Sequence, residues 1–117
     1  MKRHLRLGQQ GERLALAYVR RYCDVLHTNW KYGRKEIDII AARQGVIYFI
    51  EVKTRSSKRF GFPEQAVDHR KEAHIREVAE AYLRTYDLQP AAIRFDIISV
   101  IIKEAAMHEL IHLRDVF

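Results

Sequence analysis

Asp38, Glu51 and Lys53 have the types and spacing to hold a divalent cation against a phosphate. Residues 36–40 and 46–54 read as β-strands joined through Gln44-Gly45. A tight turn at those two residues pairs 43 with 46, 40 with 49 and 38 with 51, although Gln-Gly is a weaker turn signal than Asn-Gly. Strand alternation then puts Glu36 and Asp38 on one face, with Ile37 and Ile39 behind. Asp38 lies opposite Glu51, and Glu36 opposite Lys53. Facing carboxylates repel and weaken a sheet, so the pattern calls for a cation between them. Carboxylate oxygens suit Mg²⁺ or Mn²⁺. Such an ion acidifies a bound water and stabilises charge building on a phosphodiester, and Lys53 is placed to help. The plainer reading is an exposed face where Glu36 pairs with Lys53 and Asp38 is solvated. The carboxylates' opposition counts against it.

The elements that must position these residues can be read from periodicity. Residues 8–22 predict a helix with Leu14, Ala17, Tyr18 and Arg21 on its apolar stripe and Ala15 and Val19 beside it. A first strand covers 24–32 and ends near Gly33. After the hairpin comes a basic loop containing Phe60-Gly61-Phe62-Pro63. Pro63 then opens a second helix over 63–85. Its stripe is Val67, Lys71, Ile75, Val78 and Tyr82, with Ala79 and Leu83 beside it. Residues 93–102 predict a buried fourth strand. The tail, 107–117, fits a short strand or a helical turn. The order α-β-β-β-α-β-(β) implies one domain over 1–117, an α/β sandwich with a mixed sheet flanked by helices.

The 117 residues carry a net charge of +6, which favours an anionic partner, nucleic acid before an acidic membrane surface. Much of that charge follows the third strand, at Arg55, Lys58, Arg59, Arg70, Lys71 and Arg76. No apolar run approaches the roughly 20 residues of a membrane span. The basic N-terminus lacks the apolar stretch of a secretory signal. Cys23 stands alone, an inert and partly buried thiol suited to a reducing cytoplasm.

Asp38 followed by Glu51-x-Lys53 resembles the PD-(D/E)xK pattern of restriction-endonuclease-like nucleases, with Ile37 in place of Pro. Along the whole chain the sequence is similar to the YraN-type family of bacterial proteins, which resemble archaeal Holliday junction resolvases. The matching segments are Gly8, Gly11, Glu12, Ala15 and Ala17, Asn29-Trp30, residues 36–41, residues 49–55 and Phe60-Gly61-Phe62-Pro63. Val67, Lys71, Arg94-Phe95-Asp96 and Phe117 complete them. The resemblance implies a restriction-endonuclease-like fold and a nuclease acting on DNA, branched or junction-like structures included. It implies Asp38 and Glu51 as ligands of Mg²⁺ or Mn²⁺ and Lys53 as the catalytic lysine. Glu12 would complete the metal shell, through water. Lys71 would contact phosphate, and Arg55, Lys58 and Arg59 are further candidate phosphate contacts. A four-way junction needs two matched cuts, so a homodimer is open as well. Without the resemblance, Glu12 is a favourable charge in a helix's first turn and Lys71 a residue lying along the helix edge. Lys35 departs from the family's Gly and adds a cation beside the acids.

The main alternative keeps the fold without turnover, as a nucleic-acid-binding module. A third, zinc proteolysis, rests on His108-Glu109-Leu110-Ile111-His112. On a helix those histidines would be about 6 Å apart, but on a strand roughly 13 Å, too far to share one zinc. Among the rest, Asp96 should pair with Arg94 or a backbone group. Tyr82 and Tyr86 should cap core and surface, and Trp30 should be partly buried.

Overall fold

The computed structural model describes residues 2–56, 69–103 and 107–117, with side chains from residue 6 and, in the second stretch, from residue 70. The order is α1 (Lys2–Val19), β1 (Asp24–Tyr32), β2 (Lys35–Arg43), β3 (Val46–Arg55), α2 (His69–Thr85), β4 (Ala92–Ile102) and β5 (His108–Leu113). The strands form one mixed sheet in chain order. All neighbours are antiparallel except β3 and β4, whose parallel pairing needs the crossover that contains α2. The expected order therefore stands, and the ambiguous tail contributes a strand. Among the described residues no helix is long and apolar enough to cross a membrane.

Two apolar layers hold the sheet. On one side Ala15 and Val19 of α1 pack with Ile39, Ala41, Ile50, Ile98 and Val100. On the other, Val78, Ala79 and Tyr82 of α2 pack with Ile37, Ile40, Phe49 and Phe95. β4, flanked by β3 and β5, is covered on both faces, so residues 95–102 are all buried, without alternation. Gln44 and Gly45 have φ of 51° and 80°. That is the sign pattern of a two-residue type I′ turn, and it sets the expected pairs Arg43↔Val46 and Ile40↔Phe49.

The first helix differs from its prediction in extent and in buried stripe. It begins at Lys2 because the basic, straight-chain residues read as a tail are good helix formers. Glu12 accordingly lies mid-helix and not in a first turn. The buried stripe is Gly11, Ala15 and Val19, while Ala17 and Arg21 are exposed. Small residues win this face because the helix touches β3. A Cβ on Gly11 would stand 1.9 Å from Thr54 Oγ1 and 2.7 Å from Thr54 Cβ. The described part of α2 starts at His69, so Pro63 and Val67 lie outside the described residues.

Asp96 ties β4 to β5. Its carboxylate accepts two bonds from Arg94, at 2.9 and 2.8 Å, and one from the Asp115 amide at 3.0 Å. It also lies 2.7 Å from His112 Nε2. On the far side of that ring, Tyr18 Oη is 2.9 Å from Nδ1. His112 is thus bound within this network while His108 is exposed on the same strand, which removes the joint zinc ligation. Burial works to raise the Asp96 carboxyl, but the bonds from His112, Arg94 and Asp115 outweigh it and hold its pKa at about 2. Cys23 is buried and its thiol is pushed up by that burial, the inert state expected of it.

Two outcomes follow from this packing. Gly11→Ala should lower unfolding free energy by about 1–3 kcal/mol in urea melts, the range for an overpacked core. Adding Thr54→Ala should return part of that loss, and no recovery would show that the contact is not the cause. A carboxylate whose folded pKa lies below its unfolded value stabilises above the unfolded pKa and ceases to do so as pH falls through the folded one. Asp96 should therefore contribute about 2 kcal/mol at neutral pH, lost between roughly pH 4 and 2. In Asp96→Asn, melts across that interval should show this part of the acid-induced loss missing.

Candidate active site

Strand alternation fails at Asp38, and this failure shapes the site. Ile39 packs on the α1 side, but both Ile37 and Ile40 pack on the α2 side. One residue too many lies between Ile37 and Ile40 for a regular strand, a bulge-like irregularity. β1 breaks at the same level. His27 and Trp30 both turn to Tyr82 of α2, three residues apart. Between them Asn29 has φ 50°, a left-handed conformation uncommon outside glycine and mild for asparagine. The β1–β2 pairs pass from Thr28↔Ile39 to Trp30↔Ile37, leaving Asn29 and Asp38 opposite each other without a ladder pair.

The β2–β3 ladder consequently stops at Ile39↔Ile50, and the expected pair of Asp38 with Glu51 does not form. Regular register would aim the Val52 amide at Ile37. It donates instead to Asp38 Oδ2, at 2.8 Å. A side chain has taken the place of a backbone carbonyl, which satisfies an amide that would otherwise be orphaned. Asp38 turns to the α1 side, where it lines a cavity of about 200 Å³ with Glu12, Thr28 and Asn29. Asn29 Nδ2 donates to Glu12 Oε1 at 2.8 Å. Asn29 is a site residue that sequence reasoning matched but gave no role.

Glu51 turns the other way, into a cavity of about 210 Å³ under α2, lined by Lys35, Glu36, Lys71, His74 and Asp96 among apolar residues. Its Oε1 receives Lys71 at 2.7 Å and Lys53 at 3.1 Å. Lys53 therefore turns to its own strand neighbour and not to Glu36. Glu51 Oε2 is buried without a partner, and the other such oxygen among the described side chains is Ser99 Oγ. Ser99 pairs with Lys53 across β3 and β4, two residues along the strand from Glu51, which pairs with Ile97. Lys35 points its ammonium at Glu77 of α2 instead of at the acids. Arg55 ends β3, while Lys58 and Arg59 lie outside the described residues.

The electrostatics are those of a site with too much negative charge on one side. Burial raises the Asp38 carboxyl. The Val52 bond opposes that, while Glu12, Glu51 and Glu36 add to it, and the pKa ends at about 6. Burial also opposes charge on Lys53, but its contacts with Lys71 and Glu51 and the field of Asp38 hold it above the usual lysine value. Lys71 is lowered, by burial above all, with Lys53 beside it working against the pull of Glu51. Among the described residues no three His, Cys, Asp or Glu side chains stand together as a ready-made cage. In chemical type, though not as a convergent cluster, the donors suit a hard divalent ion. They offer an unsatisfied carboxylate oxygen, a second carboxylate crowded by like charges, and a third tethered to the same break in the sheet.

The family model described as "Uncharacterised protein family UPF0102" matches residues 11–100. A UPF0102 protein of Chlorobium phaeobacteroides is 38% identical, over 95% of this chain and 92% of its own. One from Parabacteroides distasonis is 40% identical over 100% of this chain and 96% of its own. One from Rhodococcus opacus is 34% identical over the full length of both.

The raised Asp38 carboxyl makes ionisation costly to the fold. The cost is absent below the unfolded pKa near 4, grows up to about pH 6 and is constant above. From 3.8 to about 6 it amounts to roughly 2–3 kcal/mol. Asp38→Asn, which keeps an acceptor for Val52, should raise the melting temperature at pH 7.5 in chelator. Mn²⁺ should raise that of the parent and leave the variant unmoved. Equal shifts in both would place the ion elsewhere.

Proposed function

The chain belongs to the UPF0102 family, and for this member we propose a metal-dependent nuclease of the restriction-endonuclease-like fold that hydrolyses phosphodiester bonds in DNA. Branched or junction-like DNA is the substrate class that the resolvase resemblance favours. The observation carrying the reading is the buried, unpartnered Oε2 of Glu51, set beside two lysines and next in sequence to the amide that Asp38 has captured.

In this reading Asp38 and Glu51 hold Mg²⁺ or Mn²⁺, with Glu12 contributing through the Asn29-braced side of the cleft. The cation, when bound, supplies an acidified water and stabilises charge on the phosphodiester. The remaining tasks belong to the chain's own side chains. Lys53 and Lys71 both engage Oε1 of Glu51, which leaves Oε2 for the ion. Lys53, held in its charged form, suits a phosphate oxygen of the transition state. Lys71, reaching the site from α2, suits a supporting phosphate contact. Arg55, at the end of the same strand, suits the flanking phosphates. Two matched cuts in a junction would require a two-fold dimer.

A second reading, a nucleic-acid-binding module without turnover, is favoured by one feature. Asp38 and Glu51 open into cavities on opposite sides of the sheet.

A cleavage panel of branched, flap, duplex and single-stranded DNA with Mg²⁺ or Mn²⁺ separates the two. Cleavage should need the metal and fall roughly a hundredfold or more in Asp38→Ala, Glu51→Ala and Lys53→Ala, the scale of losing one preorganised electrostatic contact. Salt-sensitive binding with no cut in any substrate would leave the binding module standing.

A further inference from the structure

At the hairpin-turn end of the sheet, on the α1 side, four arginines converge from four separate segments. Arg21 follows α1, Arg43 ends β2, Arg94 lies on β4 and Arg114 follows β5. With Tyr18, Tyr22 and Tyr48 they line a groove of about 500 Å³, and among the described residues no carboxylate lines it. Arg94 is neutralised in part by Asp96. Arg21, Arg43 and Arg114 are exposed, and among the described residues none of them has a carboxylate partner. One buried carboxylate bonded to one of four guanidinium groups leaves much of their mutual repulsion in place, and an anion removes that cost.

The groove is also held in shape. The Arg94 guanidinium stands 4.5 Å from the centre of the Tyr48 ring and is gripped at both ends by the buried Asp96. Tyr18 and Tyr22 meet edge to face, 5.3 Å apart, and their hydroxyls turn in to His112. This leaves fixed aromatic walls beside fixed positive charge, the combination that single nucleic-acid strands use. The volume exceeds what an inorganic anion needs and lies within the range for nucleotide-sized ligands.

From these observations we propose that the Arg21–Arg43–Arg94–Arg114 groove is a second nucleic-acid site, which anchors the phosphates of a single strand away from the metal-binding acids. It rests on the nuclease reading for its purpose but not for its chemistry. Tyr18 lies six residues beyond Glu12, roughly 9 Å along the helix. Arg43 lies five residues beyond Asp38, roughly 17 Å along the strand. Both pairs share the α1 side, so one strand running alongside α1 meets Glu12 and Asp38 and then the arginines a few nucleotides further on.

The test is fluorescence anisotropy of a labelled single-stranded oligonucleotide with the full chain in chelator, across a salt series. Arg21→Ala, Arg43→Ala and Arg114→Ala should each weaken binding several-fold to about tenfold and reduce the salt slope by about one. Lysine at the same positions should keep most of the slope. The triple alanine variant, with a parent-like melt but unchanged affinity and slope, would overturn the proposal. So would polyglutamate competing as well as the oligonucleotide, which would assign the groove to an acidic protein. These measurements involve no cleavage. Loss of arginine-dependent binding beside intact metal-dependent cutting removes the anchor alone. Arginine-dependent binding without cutting supports the anchor and removes the nuclease.

Discussion

The candidate site depends on one hydrogen bond, from the Val52 amide to the Asp38 carboxylate. An antiparallel ladder leaves no room for a side chain among its backbone partners, so the strands part where this bond forms. β1 accommodates the parting with Asn29 in a left-handed conformation, and β2 with a reversal of its alternation. The result is a local break in the pairing of β2 with both of its neighbours. Glu12 and Asn29 border it on one face, and Glu51, Lys53 and Lys71 on the other. Strain of this kind persists only where surrounding packing enforces it, and two apolar layers do so here.

Much of the scaffold could be read directly. Gln44-Gly45 set the register of its hairpin, the bounds of β1 were legible, and the dense apolar run of β4 marked a strand buried on both faces. Asp96 found Arg94 and a backbone amide, as its place among apolar neighbours required. Tyr82 is buried, Tyr86 is exposed and Trp30 lies between. What escaped was whatever breaks a period. Regular alternation puts Asp38 with Glu36 and opposite Glu51, and nothing in the residue types announces an extra residue at that point. The left-handed asparagine was a weak sign, since Asn tolerates that conformation better than most residues. The buried stripe of α1 is displaced from its prediction because bulky Leu14 and Tyr18 dominate the pattern, although Gly11 and Ala15 are what fit against the sheet. The arginine groove could not be read at all, because its members are isolated in sequence and meet only in space.

Charge is distributed by face and by end. The acids cluster at mid-sheet, where Glu51 has two lysines in reach and Asp38 has carboxylates for neighbours. Arg21, Arg43 and Arg114, all exposed, gather at the turn end. A chain of net +6 thus carries a local concentration of negative charge within a positive surround. A polyanion would be drawn to the surround first, and a small cation to the centre.

Gly11 gives the molecule a mechanical property. Where α1 crosses Thr54 there is no space even for a Cβ, and at the far end Tyr18 is bonded to His112 beside the fully buried Val19. The helix is thus pinned at two points about 10 Å apart, with Glu12 one residue from the first. A rod held at two points neither slides nor pivots, so the carboxylate of Glu12 and the ring of Tyr18 keep a set spacing.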